Sequence, residues 1–128
     1  MAELIKYSLE FPICSSVSIL YKRLSSPEGL AEWFADDVVV KDKMYKFFWN
    51  GVEQSAKLQK KEMNGLIRYK WIDDVSSEGY FEFLIQIDEM TQDVALIVTD
   101  FAEDEDEKEE QTNLWTKQID QLKRAIGS

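Results

Sequence analysis

The sequence contains no histidine, one cysteine and two prolines among 128 residues, and 15 basic residues against 25 acidic ones. Each shortage removes a class of function. Histidine is the usual general acid–base and the commonest metal ligand near neutral pH. Without it, Ser-His-Asp and Cys-His machinery and His-containing zinc sites are excluded. A single cysteine, Cys14, excludes an intramolecular disulfide and an all-cysteine zinc site, and points to a reducing compartment. A net charge of −10 opposes nucleic acid and anionic lipid surfaces. No apolar run approaches the roughly 18 residues that span a membrane. The opening Met1-Ala2-Glu3-Leu4-Ile5-Lys6 does not read as a signal peptide. The expectation is one cytoplasmic domain over residues 1–128, without cofactor or metal, nucleic-acid binding or membrane insertion.

What is present is aromatic and periodic. Four Trp, five Tyr and seven Phe accompany an apolar content of 45%, as in a globular chain with a real core. The longest helical pattern is the last, Glu109 to Ile126. There Trp115, Ile119, Leu122 and Ile126 fall on one stripe, with acidic residues at the start and Lys117, Lys123 and Arg124 toward the end. Gly127 follows as a stop.

Before it the pattern is mostly that of strands. Glu3 to Phe11 alternates, and Pro12 is expected to end it. Ser15 or Ser16 caps a short helix to about Leu24. Ser26 caps a second, with Pro27 in its first turn and Leu30, Trp33 and Phe34 on its apolar side. Six strands follow: Asp36–Lys41, Met44–Trp49, Val52–Met63, Leu66–Ile72, Tyr80–Glu89 and Val94–Phe101. Asn50-Gly51 and Asn64-Gly65 are hairpin signals, and a further turn is expected around Ser76-Ser77-Glu78-Gly79. Short loops imply an antiparallel meander. The faces of Val94–Phe101 are ambiguous, because both are largely apolar. An acidic run, Glu103 to Glu107, links this strand to the final helix. As a calcium loop the run fails, since Lys108 stands at the third ligand position and the required glycine is missing.

Ser26-Pro27-Glu28-Gly29-Leu30-Ala31-Glu32-Trp33-Phe34 resembles the Pro-Glu-x-(apolar)-x-x-Trp-Phe segment of the activator-of-heat-shock-ATPase-like branch of the START-like (SRPBCC) superfamily. Ile67 to Trp71 resembles that group's apolar-x-(Tyr/Phe)-x-Trp strand, and Leu114 to Lys123 the start of its closing helix. The resemblance covers the whole chain. It implies an α+β helix-grip fold: a curved antiparallel sheet of about seven strands around the C-terminal helix, two short helices after strand 1, and a cavity between sheet and helix. Function varies widely across the superfamily.

Three function classes follow. In the first, the cavity binds a small hydrophobic or amphipathic ligand, such as a lipid. Its expected lining is Trp33, Phe34, Phe47, Trp49, Tyr69, Trp71, Phe81, Phe83, Ile85, Trp115 and Ile119, with Asp100 as polar anchor if the Leu96–Val98 face points inward. The same aromatics could instead fill the core, and Asp100 could sit at the mouth or in solvent. The second class is a protein-interaction or chaperone-regulator module, with the acidic stretch Glu103 to Glu110 and Lys57, Lys60 and Lys61 on its surface. Monomer and homodimer are both open, and an apolar face for a dimer would be sought on Val94–Phe101 beside Leu84. The third is a cyclase-like enzyme using Tyr45, Tyr69 or Asp100, for which no spacing specifies a reaction. No catalytic residue is assigned, and Cys14 reads as a buried structural cysteine. The sequence favours the non-enzymatic binder.

Overall fold

A computed structural model describes residues 4–72 and 79–127. Its elements are β1 (Ile5–Ile13), α1 (Val17–Ser25), α2 (Pro27–Leu30), β2 (Asp37–Lys41), β3 (Met44–Trp49), β4 (Val52–Glu62), β5 (Leu66–Trp71), β6 (Phe81–Ile87), β7 (Val94–Ala102) and α3 (Glu105–Ile126). The seven strands form one antiparallel sheet in the order β1-β7-β6-β5-β4-β3-β2. α3 lies across the concave face against β1 and β7. This is the helix-grip architecture that the resemblance implies. Among the described residues, no helix is long and apolar enough to cross a membrane.

Local chemistry explains most boundaries. Ser16 Oγ accepts from Ile19 N at 3.2 Å and starts α1. Ser26 Oγ accepts from Gly29 N at 3.0 Å and starts α2 over Pro27. Asn50 and Gly51 both take positive φ, 49° and 81°, as a type I′ hairpin requires. β4 carries an extra residue between Leu58 and Lys60, a bulge that bends the strand.

Four expectations need correction. Pro12 does not end β1; its missing N–H is tolerated because β1 is an edge strand. α2 stops at Leu30, so Trp33 and Phe34 stand on the following turn rather than on a helix. α3 begins four residues early, because Asp104 caps it by accepting from Glu107 N at 2.8 Å. Most of the acidic run is therefore the first turn of the helix, where negative charge suits the dipole. Cys14 is exposed rather than buried: it follows Ile13, the last inward residue of β1. At Asn64-Gly65 only Asn64 has positive φ, within a three-residue connection. Ser76, Ser77 and Glu78 of the expected turn lie outside the described residues.

Register settles which face of each strand points inward. Tyr7 pairs with Asp100, Leu9 with Val98, Phe83 with Val98, and Ile85 with Leu96. The inner face of β7 is thus Leu96, Val98, Asp100 and Ala102. The outer face stays apolar because Leu66, Leu84 and Ile97 form one row across β5, β6 and β7.

The C-terminus of α1 is fastened to the core by aromatic donors. Trp33 Nε1 donates to Arg23 O at 2.7 Å, Tyr69 Oη to Leu24 O at 2.8 Å, and Tyr45 Oη to Ser25 O at 2.9 Å. These carbonyls lack partners within the helix. Tyr69 is fully buried. Tyr69→Phe strands the Leu24 carbonyl away from water, so we expect a loss of about 1–2 kcal/mol in urea unfolding. An unchanged urea midpoint would refute this account of the contact.

Candidate functional site

The site is set by how completely the space beneath α3 is filled. Phe34, on the turn after α2, inserts its ring between sheet and helix. It stacks on Trp115 at 5.8 Å and Phe81 at 5.6 Å, and meets Phe47 and Trp49 edge-on at 5.0 and 5.4 Å. Its carbonyl accepts from Trp49 Nε1 at 2.7 Å and Gln118 Nε2 at 3.1 Å. Phe47, Tyr69, Phe83 and Ile119 are 0% exposed and Phe81 1%, so the centre is core. Ile85 and Trp33 also belong to that cluster.

Open space remains at one margin, between α3 and the inner residues of β3, β4 and β5. It is a cleft of about 350 Å³ lined by Phe34, Trp49, Gln54, Trp71, Asp100, Gln111, Leu114, Trp115 and Gln118. Five of the twelve expected lining residues meet there: Phe34, Trp49, Trp71, Asp100 and Trp115. The other seven lie in the packed core, although Trp33 also borders a shallow surface hollow beside Phe34 and Trp49. Tyr45 and Tyr69, weighed above as acid–base groups, point their hydroxyls at the end of α1 rather than toward Asp100.

Four lining residues went unselected at the sequence level. Gln111 and Gln118 lie four before and three after Trp115, so helical spacing sets them beside its ring, and Leu114 lies three after Gln111 and four before Gln118. That signal was present in the sequence. Gln54 pairs with Phe47 across β3 and β4, and its inward direction follows only from the register.

Among the described residues, Asp100 is the one charged side chain in the cleft lining. Its Oδ1 accepts from Phe101 N at 2.7 Å and its Oδ2 from Trp115 Nε1 at 2.9 Å. Burial pushes its pKa up to about 6, against the lowering effect of these two donors, and Glu107 adds a smaller upward push. Beside it, Tyr7 Oη donates to Gln111 Oε1 at 2.6 Å, and Gln111 Nε2 donates to Glu107 Oε1 at 3.0 Å. The Tyr7 hydroxyl is held well above its ordinary range, first by burial and then by the Asp100 charge, so it remains a donor. No group of three or more metal-ligating side chains occurs among the described residues. The arrangement offers an aromatic slot with a carboxylate at one side and amides along the helix.

Comparison with known proteins places this geometry. The model of the START-like superfamily domain matches residues 1–128. The chain belongs to the START-like superfamily. A relative of known structure, BfR322 from Bacteroides fragilis, is 34% identical over 98% of this chain and 92% of its own, with a TM-score of 0.70. The Aha1 dimer from Colwellia psychrerythraea is 18% identical over 95% and 96% of the two chains, with a TM-score of 0.81. ChR145 from Cytophaga hutchinsonii is 15% identical over 99% and 96%, with a TM-score of 0.77. At those identities the last two show likeness of fold. No match to a curated protein was found.

The Asp100 environment gives a stability signature. Its folded-state pKa lies above its ordinary 3.8. The unfolded chain therefore releases the proton first as pH rises. Stability is lost progressively between about pH 4 and pH 6, and the full cost remains above that window. Denaturant unfolding of the wild type and Asp100→Asn across pH 3.5–8 should show the difference, wild type minus variant, falling through that window and then levelling. A flat difference would place Asp100 in water.

Proposed function

We propose that this START-like domain is a non-enzymatic binding module for a small hydrophobic or amphipathic molecule, held in the cleft between the sheet and α3. The observation that carries the reading is an open slot with Phe34, Trp49, Trp71 and Trp115 as its aromatic lining and few polar groups converging on it. Ligand sites generally combine an apolar wall with a small number of fixed polar groups. The volume of about 350 Å³ is at the low end for such sites, which favours a compact body over a long lipid tail. Hydrogen bonds orient the walls before any ligand arrives: Trp49 is tied to Phe34 O, and Trp115 to Asp100. Such preorganisation lowers the cost of binding. The test is a two-dimensional NMR titration with 1-octanol, indole and 2-naphthol. We expect saturable shifts at the indole N–H groups of Trp49 and Trp115 and at the amides of Gln111 and Gln118, with small shifts at Phe83 and Ile119. Uniform or absent shifts with all three compounds would remove the reading.

A second reading, a protein-interaction module, draws on the outer face of the sheet. Leu66, Leu84 and Ile97 make a cross-strand apolar row with Glu62 and Glu10 at its ends. Leu84 and Ile97 remain part-exposed. The fold relative from Colwellia psychrerythraea is described as a dimer. In this reading the row joins two copies, apolar centre to apolar centre with charge at the rim. Sedimentation velocity should then show a concentration-dependent dimer that Leu84→Glu converts to monomer. A wild-type monomer at every concentration would exclude it.

A further inference from the structure

We propose that the cleft selects an amphipathic organic cation, an apolar body bearing an ammonium or amidinium group, and discriminates against carboxylates and phosphates. The inference rests on the binding-module reading and names the charge of its ligand.

The first observation is the balance of donors and acceptors in the lining. The Trp49 and Trp115 indole N–H groups are already spent on Phe34 O and Asp100. Gln111 accepts from Tyr7 and donates to Glu107, and Gln118 donates to Phe34 O, which leaves Gln118 Oε1 as an uncommitted acceptor. Asp100 accepts two hydrogen bonds, whereas an ionised carboxylate can accept about four. The amides of Gln54, Gln111 and Gln118 offer both donors and acceptors, so the feature of the lining that selects by charge is the Asp100 carboxylate with its unused acceptor capacity.

The second observation is a smaller hollow of about 240 Å³ that shares Trp71, Asp100 and Gln111 with the cleft. Its lining adds Glu103 and Glu107. Among the described residues, neither hollow has a lysine or arginine in its lining. The cations nearby face aromatic rings: Arg68 and Lys6 lie over Tyr80, at 4.1 and 5.8 Å from the ring centroid, and Lys108 over Tyr7 at 5.8 Å. An ammonium group beside Asp100 would meet the carboxylate together with the rings of Trp71 and Trp115, the combination that holds organic cations in aromatic sites. A fatty-acid carboxylate in the same place would meet like charge and no compensating cation. The net charge of −10 acts in the same direction at longer range.

The experiment compares three ligands with the same chain, octyltrimethylammonium, 1-octanol and octanoate, below their micellar concentrations, by NMR titration of the full chain at pH 7.5. The expected order of affinity is ammonium above alcohol above carboxylate, with at least about tenfold between the charged pair. In Asp100→Asn the ratio of ammonium to octanoate affinity should fall toward one. Glu107→Gln keeps an acceptor for Gln111 and tests the same point should Asp100→Asn fold poorly. Octanoate binding as tightly as the ammonium would overturn the charge inference and leave the cleft reading intact. No cleft shifts with any of the three would overturn both.

Discussion

The structure depends on one insertion, the Phe34 ring between sheet and closing helix. A curved sheet gripping a single helix leaves a wedge of space that must be filled or left open. Phe34 fills its centre. It touches the rings of Trp33, Phe47, Trp49, Phe81, Phe83 and Trp115, and so connects the turn after α2, the sheet and α3 through one side chain. Its backbone serves the same end, since the Phe34 carbonyl takes a donor from β3 and another from α3. A buried ring of this size is worth a few kcal/mol by area alone. Its edge-to-face and offset contacts add to that. Because the centre is occupied, open space moves to the margin, where α3 does not cover β3, β4 and β5. The position of the cleft is thus a consequence of packing.

The same economy governs the other end of the molecule. A short helix of nine residues leaves its last carbonyls without partners. Here the side chains that supply the donors are themselves core aromatics. Trp33, Tyr45 and Tyr69 bury their ring surfaces and turn their polar atoms to Arg23, Leu24 and Ser25. Two tyrosines that could in principle act on a substrate are committed to holding α1. That division of labour separates a structural end, where the Tyr45 and Tyr69 hydroxyls hold α1, from the end where Asp100 faces the cleft.

Much of this was legible in the sequence, because period and caps are local signals. The α3 stripe, the alternation of β3, β5 and β6, the Ser26-Pro27 helix start and the Asn50-Gly51 hairpin each follow from residues within a few positions of one another. The unreadable parts depend on pairing between distant segments. Asp100 could not be placed from β7 alone, since Ala95, Ile97 and Phe101 look as apolar as Leu96 and Val98; pairing with Tyr7 and Leu9 decides it. Gln54 needs its pairing with Phe47 in the same way. The division between core and cleft was equally out of reach. Phe47 and Trp49 lie on one strand face and Phe34 meets both, yet Phe47 is sealed while Trp49 is only partly buried and borders the cleft.

Asp100 is the residue that packing explains least. A carboxyl whose pKa is raised by burial opposes folding across the neutral range, and the two hydrogen bonds it receives offset only part of that cost. An uncharged side chain could accept the Trp115 indole without the desolvation penalty of a charge. The rest of the interior follows the cheaper course: among the described buried residues the only polar or charged one outside the aromatic set is Thr99, paired with Ser8. A charge kept where it costs stability, at the wall of an aromatic slot, with unused acceptor capacity and no cation among the described residues of the lining, is the pattern of a group retained for what enters the slot. A cation entering there would stabilise the ionised carboxylate, and by linkage would lower its pKa and return part of the folding cost. In that arrangement binding and stability act on the same atom.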